Sequence, residues 1–524
     1  MGLSLLVFGG ACGSQTQQKE VMSFSDFAKI ESAIQISPVE APLDCTTSEC
    51  KGYRQEFRYV VYVGQKVYCY WEEKKAEVLV PFEQLAQDLE VSINDQTSLS
   101  QYYQILRRWA ASFHDGHVNV MAGDMISNLE IYTAPLRLEV LAPATDHEKV
   151  IVSSTTDPSL ARVGEQVVSV NGVDVSKAID QAEVFASGST KRMRRRSSTK
   201  LLVDAMGAEA GMQPLTLGLL DPKGQPRTIQ VPHTIDLSLP PSSNAPSAPE
   251  ETGEKLVQAS VLPGGIGVLR IDGFSGSRIS DLLANAMDRL SGTRGLLIDV
   301  RKNGGGDQSA NIILARMTSQ PSIRYLTSER VSDFTLAMRP GSFWFSAQMF
   351  PGKDFADWHK IRIPEQDSAK YMGKPVYVLT SPYCFSACDT FTSAMKVNKF
   401  ATIVGEATGG GTGSPLVFDL PISEMQFRYS VVRGRTALGQ PLEGAGTQPD
   451  ILLEPTIDER VQGKDLQFAK AADLLRAAID PAAGASAPSV VDANPYIDLE
   501  DEAKISPTRL EQIRLKAIMR VDEL

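Results

Sequence analysis

Histidine is scarce in this sequence. Five are present in 524 residues: His114, His117, His147, His233 and His359. Chemistry that needs an imidazole therefore has few sources. Cysteine is sparse too: none of the six falls in a C-x-x-C pair or a Cys/His cluster with zinc spacing, so neither a structural metal nor a cofactor is expected. Basic residues are outnumbered 52 to 63, a net charge of −11, which argues against general nucleic-acid affinity. Beyond a short N-terminal apolar run, no segment approaches the ~18 apolar residues that span a bilayer. There is no internal repeat. What remains is an ordinary globular composition, 42% hydrophobic and 22% charged, in a chain long enough for several domains.

The chain divides by pattern. Residues 1–18 (MGLSLLVFGGACGSQTQQ) have the layout of a bacterial lipoprotein signal, with Cys12 as the acylated residue after Gly9-Gly10-Ala11. Export to the cell envelope, periplasmic or lipid-anchored, is expected, and there Cys45 and Cys50 can close a small disulfide loop. Residues 19–132 read as a mostly helical N-terminal domain. Within it FRYVVYVG and KVYCYWEEKKAEVLV look like a hairpin, and Pro81 to Phe113 has apolar residues three and four apart. Residues 133–235 form a small β-rich module with two helices. One of them carries KRMRRRSSTK, read as a solvated helix face rather than a grip for a carboxylate or an anionic surface. Residues 236–255 are a Pro/Ser-rich linker. Residues 256–480 alternate strand and helix, an α/β core. Residues 481–524 are a tail with a last helix in SPTRLEQIRLKAIMRV.

Two loops in the α/β region suggest chemistry. In YCFSACDTF, Ser386 sits where the strand PVYVLT gives way to a helix. Its hydroxyl can project there, while the Ala387 amide lies at the positive end of the helix and Asp389 in the first turn. In IDVRKNGGGDQS, Gly304, Gly305 and Gly306 can turn their amides toward a bound group. Strand ends of a parallel sheet meet at one edge, so both loops can face one cleft. Elimination favours His117 as base: it lies in SFHDGHV, where a helix yields through Asp115-Gly116 to a strand. A lysine in a Ser/Lys dyad is the other option. Cys384 and Cys388 read as small core residues beside the elbow, since a disulfide between them would strain the first helical turn.

These motifs resemble the C-terminal (tail-specific) processing peptidase family, particularly its tricorn-like branch. The resemblance rests on GLLIDVRKNGGG, VYVLTSPYCFSACDTF, TIVGEATGGG and PLEGAGTQPDI, together with DGHV and GEQVVSVNGVDV, over roughly residues 80 to 455. It implies a mixed-sheet α/β serine-peptidase core of the ClpP/crotonase type, and a PDZ-like module in 133–235 whose carboxylate-binding loop is poorly preserved. The lysine of the family's other branch is absent: Gly411 stands near that position. The tricorn-like design implies Ser386 as nucleophile, His117 as base and Glu443 as supporting acid, with Glu406 the runner-up. The amides of Ala387 and Gly305 would hold the oxyanion. In that branch a serine precedes the base and links it to the acid. Here Gly116 stands in its place, leaving another residue, a water or a plain Ser/His dyad. The implied activity is peptide-bond hydrolysis on peptide or protein substrates. The alternative is an inactive carrier on the same scaffold, with the aromatic-rich Phe334–Lys360 insertion lining a pocket. An α/β-hydrolase esterase fares poorly, because no G-x-S-x-G and no histidine downstream of Ser386 exist.

Overall fold

The GLLIDV run forms strand Gly295–Asp299, buried along its whole length at the centre of a seven-stranded sheet. Here the structure is a computed structural model, describing residues 44–77, 81–129, 131–206, 211–235, 256–338, 352–364, 371–481 and 497–498. Cys12 and the signal-like start, the 236–255 linker, most of the 481–524 tail and the centre of the Phe334–Lys360 insertion lie outside the described residues.

Ile266–Ile271, Gly295–Asp299, Val376–Thr380, Thr402–Gly405 and Ile451–Leu452 run parallel, Val257–Leu262 lies antiparallel beside Ile266–Ile271, and Ile497–Asp498 pairs antiparallel with Val257–Leu262 at the edge. Strand residues alternate between faces. Leu296, Ile298, Val376 and Val378 pack under the helices Ile279–Arg289 and Ala387–Val397. Leu297, Leu379 and Val404 pack under Leu466–Ile479 on the other face. Burial on both faces explains why these strands are continuous apolar runs. The mixed α/β architecture is the one the sequence implies, and it brings the loops after Asp299, Thr380 and Gly405 to one sheet edge.

The N-terminal region corrects one expectation. FRYVVYVG is the second half of a helix, Ser48–Val67, capped by the Thr47 hydroxyl accepting from Cys50 N (3.2 Å), and no hairpin forms there. Its β-branched and aromatic content suggested strands, but Tyr53, Phe57, Val60 and Val67 recur at helical spacing and are buried together. Tertiary burial outweighs strand propensity here. This helix shares one apolar cluster with Trp109 and Phe113 and with the distant hairpin Pro415–Leu420/Met425–Ser430. Trp109 Nε1 donates to Tyr429 Oη (2.7 Å), which donates to the Val60 carbonyl (3.1 Å). The short strand Asn119–Met121 pairs antiparallel with Met425–Ser430. The segment carrying His117 is therefore fixed to the C-terminal half of the chain.

The middle module is a sheet of Leu136–Leu141, Lys149–Thr155, Gln166–Val170, Leu215–Leu220 and Pro226–Val231, with its own apolar cluster and helices Val175–Glu183 and Lys191–Leu201. Its basic helix is not a solvated face. Arg194, Arg195 and Arg196 are buried, and the first two pair with acids of the module itself: Glu183, and Glu148 with Asp180. Arg196 reaches out of the module, both Glu406 oxygens accepting from Nη2 at 2.7 Å. The cluster looked solvated because its acidic partners lie far away in sequence. Removing one side of a buried pair strands the other charge. Arg196→Ala is thus expected to cost about 3 kcal/mol, read as a lowered thermal unfolding temperature. Adding Glu406→Gln should recover part of the loss.

Candidate active site

Ser386 is the residue before helix Ala387–Val397, held at φ 59°, ψ −115°. That is the left-handed side of backbone space, costly for a residue with a Cβ and tolerated where surroundings enforce it. Enforcement comes from Asp389. Its Oδ2 accepts from the amides of Ser386 (2.9 Å) and Gly411 (3.0 Å), and its Oδ1 from that of Gly410 (2.9 Å). One buried carboxyl thus ties the elbow to the T-G-G-G-T-G run. Burial pushes this carboxyl up to about 7, against the pull of Thr408 and the three amides.

His117 stands opposite. Its Nε2 is 3.0 Å from Ser386 Oγ, across 269 residues of sequence. The imidazole is buried and tilts against the Phe385 ring, centroids 4.5 Å apart. Burial first, then the Arg428 charge, lower its pKa to about 3, so the ring is neutral at physiological pH. Asp115 Oδ1 lies 3.8 Å from Nδ1, which favours a proton there and leaves Nε2 to accept from the serine. Asp115 itself is fixed, accepting from His117 N (2.7 Å) and from Ser430 Oγ (2.7 Å).

Glu443 also approaches the base: one donor atom from each of Asp115, His117 and Glu443 lies within 4.8 Å of the others. Its Oε2 accepts from Thr412 N (3.0 Å), while Oε1 and His117 Nδ1 are shut from solvent without a hydrogen-bond partner. Burial raises the Glu443 carboxyl, the Asp115 charge adds to this, and Lys74 and the Ser189 hydroxyl oppose it. Two buried acids this close do not both ionise readily. Asp115 holds two hydrogen bonds from the protein, so the proton rests on Glu443.

The glycines shape this pocket. A Cβ on Gly305 would lie 2.7 Å from Ser386 Cβ and 3.0 Å from Ala387 N, so only glycine lets that loop lie against the elbow. The Ala387 amide opens the helix, where first-turn N–H groups have no intrahelical partner. The Gly305 amide, expected as the second oxyanion donor, donates instead to Asn303 Oδ1 (2.9 Å) in this arrangement. Glu406 sits with Arg196 and, at 3.6 Å, Arg192, not behind the base. The cysteines correct a further expectation: Cys384 and Cys388 are joined by a disulfide across the nucleophile, as are Cys45 and Cys50. Because the helix starts only at Ala387, Cys384 lies in the turn before it and the bridge spans no full helical turn. Cys69 is a buried free thiol.

Of the other histidines, His147 and His359 are exposed and His233 bonds the Gln213 carbonyl. His114 is half-buried, burial foremost lowering it to about 4. Sequence reasoning missed Asp115, Ser430 and Ser189 as neighbours of the base. Only Asp115, two residues from His117, left a signal.

Residues 265–453 match the model of peptidase family S41. Two relatives carry the names of processing enzymes. One is the carboxyl-terminal-processing protease of Synechocystis sp. (strain ATCC 27184 / PCC 6803 / Kazusa), 23% identical over 346 residues, 65% of this chain and 65% of that protein. The other is the chloroplastic C-terminal processing peptidase of Tetradesmus obliquus, 23% identical over 369 residues, 68% of this chain and 69% of that protein. Among solved structures, mature CPAF complexed with lactacystin shares the fold: TM-score 0.65 at 17% identity, over 83% of this chain and 100% of that one.

Proposed function

We propose that this protein is a serine endopeptidase of the tail-specific type, with Ser386 as nucleophile and His117 as general base. The observation that carries this is the 3.0 Å approach of a buried, neutral imidazole to a partly exposed serine held at positive φ. A peptide carbonyl is attacked by Ser386 Oγ as its proton passes to His117 Nε2. The imidazolium gains from the Asp115 carboxylate beside Nδ1. The oxyanion takes the Ala387 amide, and the Gly305 amide joins when it leaves Asn303 Oδ1. Collapse returns the proton to the leaving amine, and water then releases the acyl group through the same histidine. The depressed resting pKa keeps Nε2 free to accept, and the negative charge that develops beside it raises its basicity during the step.

The setting belongs to the same proposal. The lipoprotein-like start with Cys12, together with two disulfides, supports an oxidising, extracytoplasmic location, periplasmic or membrane-tethered. Among the described residues no helix is long and apolar enough to cross a membrane. The sheet module at 136–231 is taken as PDZ-like. The carrier alternative lacks support from the insertion: its described part packs Phe355 and Trp358 on Arg433 and Arg435. A fluorophosphonate probe decides between the two. Labelling of the wild type that disappears in Ser386→Ala is expected; a wild type that resists labelling would make the carrier the better account.

A further inference from the structure

The peptidase reading leaves one arrangement unexplained. Glu443 lies near the base with its Oε1 unpartnered, and position 116, between Asp115 and His117, offers no hydroxyl. The backbone gives a reason: a Cβ on Gly116 would lie 2.6 Å from the Phe385 ring, which itself lies tilted against His117. A serine at 116 would displace the ring that packs the imidazole. A hydroxyl arrives from elsewhere. Ser189 is buried, and its Oγ accepts from the Gly116 amide at 3.0 Å. Having accepted that bond, its own hydrogen is free to point toward Glu443, whose carboxyl the Ser189 hydroxyl pulls downward and whose Oε1 is without a hydrogen-bond partner.

Ser189 comes from the middle module, on the loop between helices Val175–Glu183 and Lys191–Leu201. That loop is held on both sides. Arg107 donates to the Phe185 carbonyl (3.2 Å) and Arg194 to the Gly188 carbonyl (3.2 Å). Thr190 caps the following helix, accepting from Met193 N (3.2 Å). Its methyl carbon would lie 2.9 Å from a Cβ on Gly410, whose amide serves Asp389. The loop thus enters between the base turn and the glycine run, and the Arg196–Glu406 pair fastens its module to the core a few residues away.

We propose that Ser189 is a positioning residue of the peptidase site. It pins Gly116, and with it the His117 backbone, and links Glu443 to the base turn across the module boundary. The catalytic centre is then complete only while the middle module is docked. This inference rests on the peptidase reading.

The experiment reads the rate of fluorophosphonate acylation at Ser386, which needs no knowledge of the substrate, in Ser189→Ala, Glu443→Gln, the double variant and Ser189→Thr. Ser189→Ala should slow acylation about tenfold, the scale of a slightly misplaced base. Glu443→Gln should do the same, and the double variant should be no slower than either single, because both act through one connection. Ser189→Thr, which keeps the hydroxyl, should stay within about twofold of wild type. Ser189→Gly makes the same deletion should the alanine variant not fold. An unchanged rate in Ser189→Ala, or fully additive losses in the double variant, overturns the proposal while leaving the peptidase reading intact. A wild type that is never acylated removes that reading itself, so the two failures are distinct.

Discussion

His117→Ala should lower peptide hydrolysis by about 10⁴-fold in kcat, with a much smaller change in KM. On the proposed mechanism the base acts on Ser386 Oγ rather than on the substrate, so the loss falls on the chemical step. No second imidazole can substitute. His114 is the near neighbour in sequence, but it is depressed by burial and sits at positive φ on the far side of Asp115. Fluorophosphonate acylation should slow in parallel. The fold should persist, because the 115–121 segment is held by Ser430 on Asp115 and by the pairing of Asn119–Met121, neither of which uses the imidazole. A variant that kept near wild-type acylation would show that another group takes the serine proton. Rates with the purified protein and a denatured protein substrate, alongside circular dichroism, provide the check.

Asp389→Ala should be nearly as damaging for a different reason. Three backbone amides, of Ser386, Gly410 and Gly411, would lose one shared acceptor in a buried site. Each unsatisfied buried amide costs about 1–3 kcal/mol, so a loss of roughly 3–9 kcal/mol is expected. The elbow would relax from its strained φ, and activity would drop with stability. The milder Asp389→Asn separates pH effects. The folded carboxyl titrates at about 7 against an ordinary 3.8. A raised value means the protonated form is favoured by folding: this group's stabilisation is full below about pH 4 and is lost as pH rises through about 7. Activity should run the other way, rising toward neutrality as both oxygens become acceptors for the amides. Thermal unfolding and acylation rate measured from pH 4 to 8 should show opposite slopes in the wild type, and Asp389→Asn should flatten both.

The meeting of Ser386 and His117 was legible from sequence because scarcity and local pattern agreed. Ser386 stood at a strand-to-helix change, and His117 was one of few histidines and lay at a helix end. The parallel core was legible because strands buried on both faces must be continuous apolar runs. Other features were not. FRYVVYVG, residues 57–64, looked like a strand, since its valines and tyrosines favour strands until a partner surface is known, and that surface, around Tyr429, arrives late in the chain. The arginines of 191–201 looked solvated because Glu406 lies 210 positions away. Ser189 carries no motif; its role exists only where two modules touch. The Cys384–Cys388 bridge was discounted because it would strain the first helical turn, but Cys384 lies in the turn before that helix.

The pairing of Asn119–Met121 with Met425–Ser430 has a consequence for biosynthesis. During translation the imidazole emerges early, the alcohol much later, and the hairpin that seats the imidazole later still. On the proposed mechanism, a nascent fragment short of that hairpin leaves the imidazole unseated, so hydrolysis is expected only once the hairpin has been made.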